Sequence, residues 1–286
     1  FVEMFNRVQL EREGCPHIHG LHLEGPYFAA SQAGAQNPAW LRNPEPEEYE
    51  EVLRRTDRIR RWSFAVELDG SDRFLQTLHR HGIITSLAHS DADYAQVAHA
   101  HALGLSCLTH FYSCMTTVRR KNAYRYAGAI EAGYLMDELY VEAIADGSHL
   151  PAELLRLIYK VKKPHRICLV TDSIAAAGLP DGEYSLGGVA CIKEDGVAKL
   201  LDRSAFAGSV ATTDMLVRTF RRLTGAPLAD VVRMVSLTPA ELLGIDRKTG
   251  SIKAGKATDL LVFDEDIQIR HISVGGRIEF SELAGS

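Results

Sequence analysis

Four side chains in this sequence have the types and positions that chemistry requires. The run Leu21-His22-Leu23-Glu24 delivers a carboxylate straight into Gly25-Pro26, and strand alternation puts His22 and Glu24 on one face. Residues 83–88 lead into His89-Ser90-Asp91, and the next run ends in Leu108-Thr109-His110, so two imidazoles stand at successive strand ends. Ile167-Cys168-Leu169-Val170-Thr171 then presents Asp172 before a loop of small residues. Singly, each has an ordinary structural explanation: a loop salt bridge or cap for Glu24, hydrogen-bonded structural histidines, an N-cap for Asp172. Together, two imidazoles and one carboxylate make a common zinc set with a fourth position left for water or substrate. The same donors also suit iron or manganese. One divalent ion held there would bring the pKa of bound water towards about 7. A carboxylate at Asp172 can then take a proton from that water.

A second pair, His17-Ile18-His19, is set aside. It reads as part of the same strand as Glu24, where His19 would stand about 16 Å from that carboxylate at strand rise, with both rings on the opposite face.

Groups aligned at strand ends need a parallel sheet beneath them. Short β-type runs alternate with helical stretches in six units, whose strands end near Glu24, Glu67, His89, His110, Asp146 and Asp172. A length of 286 residues suits one α/β barrel. The helix after His89 is expected to be capped by Ser90 or Asp91, to carry Ala95, Val97, Ala98 and Ala102 on apolar positions, and to stop at Gly104. Glycine-rich runs at 184–188 and 197–201 read as hairpins. Helices follow at 212–223 and 228–243, and residues 250–256 lead back to strands. The chain therefore divides into the main part of a barrel (1–180), β hairpins of the barrel end or of a small β domain (181–207), terminal barrel helices (208–247) and the strands of a small β domain (248–286).

Composition narrows the function classes. A net charge of -5 without a block of like charges argues against a nucleic-acid partner, and the apolar runs fall far short of a membrane span of roughly 20 residues. Five cysteines, an odd count without Cys-x-x-Cys spacing, indicate neither a disulfide framework nor a thiolate zinc site, which points to the cytoplasm. Phe1-Val2-Glu3-Met4 has no signal-peptide pattern and reads as a chain entered part-way through.

The ordered motifs His22-Leu23-Glu24-Gly25-Pro26, Gly34-Ala35-Gln36-Asn37-Pro38, Ala88-His89-Ser90-Asp91-Ala92, Thr109-His110-Phe111-Tyr112-Ser113-Cys114-Met115, Ala145-Asp146-Gly147-Ser148-His149 and Leu169-Val170-Thr171-Asp172 resemble those of N-acetylglucosamine-6-phosphate deacetylases. Ala207-Gly208-Ser209 and Gly255-Lys256-Ala257-Thr258-Asp259-Leu260 continue the match, which spans about Gly20 to Gly276. The resemblance implies a (β/α)8 TIM-type barrel of the amidohydrolase superfamily with a small β-sandwich. It also implies a homodimer acting on a small N-acetyl amino sugar. Glu24, His89 and His110 match the family's metal ligands, Asp172 its catalytic Asp and His149 a substrate-binding His. The two strands short of eight would be the first two, which carry a His-x-His segment that binds a second metal in some members.

Three departures bear on the substrate. Gln36 stands where the family has a His that helps polarise the substrate carbonyl; its amide can donate a hydrogen bond but carries no charge. Ser113, beside Cys114, replaces an Asn that seats the sugar phosphate. The stretch Val118-Arg119-Arg120-Lys121-Asn122-Ala123-Tyr124 replaces one whose Arg binds phosphate, often across a dimer interface. Arg119 or Arg120 could serve that end, or the stretch is a solvated basic loop. The alternatives are a deacylase of another N-acyl substrate without phosphate, or a non-catalytic binding protein on the same fold. A cyclic-amide hydrolase is disfavoured, because no Lys ends a candidate strand to bridge two metals.

Overall fold

The computed structural model describes residues 2–10 and 15–283. After a one-turn helix α1 (Val2–Phe5), the strands β1 (Leu21–Glu24), β2 (Ile59–Phe64), β3 (Ile84–Leu87) and β4 (Cys107–Leu108) follow in order. An antiparallel hairpin of β5 (Arg119–Lys121) and β6 (Tyr124–Tyr126) intervenes before β7 (Tyr140–Ala143) and β8 (Ile167–Leu169). The six longer-range strands pair in parallel in the order β1-β2-β3-β4-β7-β8. Helices α2 (Pro46–Arg55), α3 (Ser71–Arg80), α4 (Tyr94–Ala102), α5 (Ala129–Leu135) and α6 (Ala152–Lys162) cross between them. This is the expected TIM-type architecture, carrying six of its strands, with β1 and β8 at the two edges among the described residues.

The two faces of the sheet are built differently. Trp62 and Phe64 of β2 pack against Phe74 of α3, edge to face with ring centroids 5.1 and 5.0 Å apart, and Tyr27 joins them at 5.0 Å. Such aromatic pairs contribute about 0.5–1.5 kcal/mol beyond the area they bury. The alternate residues of β2, Arg61 and Ser63, turn to the barrel interior. There the buried Arg61 guanidinium grips both oxygens of buried Glu142 on β7, and it also donates to Ser86 Oγ at 2.7 Å and Thr109 Oγ1 at 2.6 Å. Burial pushes the Glu142 carboxyl up, but the Arg61 charge outweighs it and holds the group below its ordinary range. Removing one partner of a buried pair leaves the other uncompensated, so Glu142→Ala is expected to cost about 3–5 kcal/mol of stability. An unchanged denaturant midpoint in Glu142→Ala would show the pair to be structurally dispensable.

Beyond β8 the chain forms two separate antiparallel sheets. The first, β9 (Gly182–Leu186), β10 (Val189–Glu194) and β11 (Val197–Leu200), has a small core of Cys191, Ala198 and Ala207. Ala35, Ile174 and Val210 from the barrel-mouth loops close this core, which seats the sheet over the strand ends. Helix α7 (Thr213–Thr224) follows. The single helix expected over 228–243 is instead α8 (Leu228–Val235) and α9 (Leu237–Leu242), broken at Ser236 with φ -130° and ψ -76°. Pro239 explains the break: without an N–H it fits only the first turn of a helix, so a new helix must begin just before it. The last sheet, β12 (Leu260–Phe263), β13 (Ile269–Val274) and β14 (Arg277–Ser281), begins after residues 250–256, which form a loop.

Two local expectations are corrected. Helix α4 is capped by Asp93 in a reciprocal capping box with Gln96, because Ser90 and Asp91 are engaged elsewhere. His17 and His19 precede β1, which starts only at Leu21, and their rings stack on each other with centroids 5.1 Å apart.

Candidate metal centre and active site

The parallel strands release their side chains into one cleft of about 1030 Å³, lined among others by His22, Glu24, Gln36, His89, His110, Ser113, Cys114, His149 and Asp172. At its floor, Glu24 Oε1 lies 3.1 Å from His89 Nε2 and 3.1 Å from His110 Nε2. These three residues are the group among the described residues whose donor atoms converge closely enough to hold a metal ion. His89, His110 and Asp172 have φ of 46°, 34° and 49°. That left-handed geometry is unfavourable for side-chain-bearing residues, and it lets each strand end turn its side chain into the cleft.

The donor chemistry fits a cation. His89 Nδ1 lies 2.8 Å from the Gln32 carbonyl oxygen, which can only accept, so Nδ1 carries the proton and Nε2 faces Glu24 with a lone pair. A lone pair opposed to a carboxylate requires a cation or a proton between them. Without a cation a proton would serve: burial lowers the His89 pKa, but Cys114 and Glu24 outweigh it and raise it to about 10. Glu24 responds in the complementary sense. Burial pushes it up, yet the hydrogen bonds from His110 and His89 hold it well below the carboxylate range.

Asp172 stands apart from this cluster, under different forces. Burial, then the Glu24 charge, pushes its carboxyl up to about 6, which suits a group that must both take and return a proton near neutrality. Its loop is held by Ala207-Gly208-Ser209: Ser209 N donates to the Asp172 carbonyl at 2.7 Å, and Ser209 Oγ donates to the Thr171 carbonyl. Gly208 has φ 68°, and a Cβ there would lie 2.8 Å from the Asp172 carbonyl oxygen. Gly208→Val should therefore displace Asp172 and reduce kcat by about 100-fold, since misplacement by about 1 Å can cost that much. Steady-state kinetics on a variant with normal metal content check this; wild-type kcat would dismiss the contact.

His149 Nδ1 donates to Asp146 Oδ2 at 2.7 Å, while Asp146 Oδ1 accepts from the His149 and Ser148 amides at 2.9 Å each. Phe206 covers the imidazole with centroids 4.5 Å apart. The basic residues are placed differently. Arg119 donates to Asp91 Oδ1 at 3.2 Å and to the Asp91 carbonyl at 3.0 Å, and neither Arg119 nor Arg120 lines the cleft. Both are exposed on the β5–β6 hairpin.

Sequence reasoning passed over Glu67. It follows the second strand and accepts from Ser90 Oγ at 2.6 Å and from the Asp91 amide, pinning the loop that begins at His89. The available signal was its strand-end register with the other site residues.

The family model described as Amidohydrolase family matches residues 8–282. The chain is 34% identical over 264 residues to an N-acetylglucosamine-6-phosphate deacetylase of Vibrio furnissii, covering 92% of this chain and 65% of that protein. It is 32% identical to an N-acetylgalactosamine-6-phosphate deacetylase of Escherichia coli O157:H7, covering 91% and 68% respectively. Thus the chain spans about two thirds of the length of these relatives. Among solved structures, N-acetylglucosamine-6-phosphate deacetylase from Thermotoga maritima superposes with TM-score 0.84 at 34% identity, over 92% of this chain and 70% of that one. A mutant of the Mycobacterium smegmatis enzyme in complex with N-acetyl-D-glucosamine-6-phosphate gives TM-score 0.87 at 30% identity, over 92% and 69%. With a carboxylate and two histidines converging at the strand ends of a parallel barrel and the family model matched over residues 8–282, the chain belongs to the amidohydrolase family.

Proposed function

We propose that this chain forms the catalytic part of a metal-dependent deacetylase that hydrolyses an N-acetyl amino sugar, in the first place N-acetylglucosamine 6-phosphate, to the free amine and acetate. The observation that carries this reading is the convergence of Glu24, His89 and His110 in the cleft that Asp172 also lines. Bound at the triad, a divalent ion would supply Lewis-acid polarisation of the acyl carbonyl and activation of water. Zinc fits the donor set, with iron and manganese as alternatives. The remaining steps fall to the chain itself. Asp172 accepts the proton as water attacks and delivers it to the amine nitrogen, because an amine anion is too poor a leaving group. His149, oriented by Asp146, presents Nε2 to the substrate, and the Gln36 amide and Ser113 hydroxyl offer neutral hydrogen bonds.

For a phosphorylated sugar, Arg119 or Arg120 of a second copy would meet the phosphate in a homodimer. Their exposure on a projecting hairpin, away from their own cleft, supports this arrangement. A second reading rests on the same observation: no Lys or Arg lines the cleft among the described residues, which suits an unphosphorylated N-acyl amino sugar. No helix of the described residues is long and apolar enough to cross a membrane. All five cysteines are free, in keeping with a small-molecule enzyme of the cytoplasm. A screen of N-acetyl amino sugars with and without 6-phosphate tests both readings. Preference for the phosphorylated sugar supports the first, preference for the unphosphorylated one the second, and no deacetylation by metal-loaded protein overturns both.

A further inference from the structure

The polar interior of the barrel has a direction. Among the described residues the His22 ring has one hydrogen-bond partner, Ser63 Oγ, 2.6 Å from its Nε2. Ser63 Oγ lies 2.7 Å from Thr109 Oγ1, and Arg61 Nη2 donates to Thr109 Oγ1 at 2.6 Å. A guanidinium is donor-only and keeps its protons, and Glu142 holds this one in place by both oxygens. Thr109 must therefore accept from Arg61, and its own proton has Ser63 as the acceptor in reach. The Ser63 proton then goes to His22 Nε2. The opposite order, with His22 Nε2–H donating to Ser63 and Ser63 to Thr109, would strand the Thr109 proton without an acceptor at a buried site.

We infer that Arg61, acting through Thr109 and Ser63, fixes His22 as the Nδ1–H tautomer and so makes His22 a substrate-binding donor for an acceptor oxygen of the N-acyl amino sugar. The substrate contact rests on the deacetylase reading; the tautomer does not. With Nε2 turned to Ser63, Nδ1–H is the ring's remaining polar group, and the ring lines the cleft on the same strand face as Glu24. His22 thus adds a neutral, oriented donor to a cleft whose lining has no Lys or Arg. Arg61, Thr109 and Ser63 are positioning residues, acting on the substrate only through His22.

The test uses full-length, metal-loaded protein labelled with 15N-histidine, at one fixed neutral pH, with the His22 signals assigned by their loss in His22→Leu. Nitrogen-to-carbon-proton couplings report which ring nitrogen carries the proton. The expected result is Nδ1–H in the wild type and loss of that preference in Ser63→Ala, which breaks the chain while leaving the Arg61–Glu142 pair intact. In kinetics, His22→Leu should raise KM about tenfold, as for a lost hydrogen bond in a partly dry site, with a smaller change in kcat. His22→Asn, whose amide N–H stands near the former Nδ1–H, should recover most of that KM, and His22→Gln, which mimics Nε2, should not. A proton on Nε2 in the wild type, an unchanged tautomer in Ser63→Ala, or equal rescue by Asn and Gln overturns the inference. Protein that shows the Nδ1–H tautomer but hydrolyses no N-acetyl amino sugar overturns the substrate contact together with the deacetylase reading, and leaves the tautomer control standing.

Discussion

His110→Ala in the full-length protein is expected to lose its bound ion and, with it, essentially all turnover. Changes in the residues that merely orient metal ligands cost about 10–100-fold in affinity or activity, so deletion of a ligand itself should exceed about 100-fold. The geometry gives the reason. Glu24 Oε1 is shared between His110 Nε2 and His89 Nε2 at 3.1 Å each, and loss of one imidazole leaves two donors where a firm site needs at least three. The His110 backbone has φ 34°, which strains Ala as it strains His, so a folding measurement must accompany the metal assay to separate ion loss from unfolding. Elemental analysis after dialysis, beside circular dichroism, is the measurement. One equivalent of ion retained with near-normal turnover would remove His110 from the ligand set.

Asp172→Asn should behave in the opposite way with respect to metal: full ion content, with kcat lower by about 10²–10⁴-fold, the usual contribution of a positioned acid-base group. Asn can still hydrogen-bond but cannot take the proton. The sign of the pH dependence follows. A base works when deprotonated, so kcat/KM rises as pH increases through the Asp172 pKa, and falls as pH drops below it. Burial and the Glu24 charge place that pKa at about 6. A cation at the triad offsets Glu24 and moves it lower, so the acid limb of the profile belongs at or below about pH 6. The limb should vanish in Asp172→Asn. A variant that keeps both the limb and the rate would mean that the proton is carried by another group.

Much of this protein was legible in its sequence. The six strand–helix units and their order were set by local signals: apolar runs of strand length, helical periodicity, and turn residues between them. The meeting of Glu24, His89, His110 and Asp172 in one cleft was legible because a parallel sheet brings all strand C-termini to one side, so residues that end successive strands must meet. Local signals failed where a tertiary contact outweighed them. Ser90 and Asp91 looked like helix caps, but Glu67 and Arg119 claim them, and the cap moved to Asp93. His17 and His19 looked like strand residues, yet β1 begins only at Leu21, where pairing with β2 starts.

The basic stretch at 118–124 marks the same boundary for function. Its charge was plain in the sequence, but only the fold put Arg119 on Asp91 and both arginines outside the cleft. Likewise, His22 and Arg61 are ordinary residues on separate strands until alternation turns both inward. Residue type and period determined which side chains face the barrel interior. The direction of the Arg61–Thr109–Ser63–His22 chain, the strained backbone at His89, His110 and Asp172, and the sheet seated over the mouth depend on contacts between residues far apart in sequence, which no local pattern encodes.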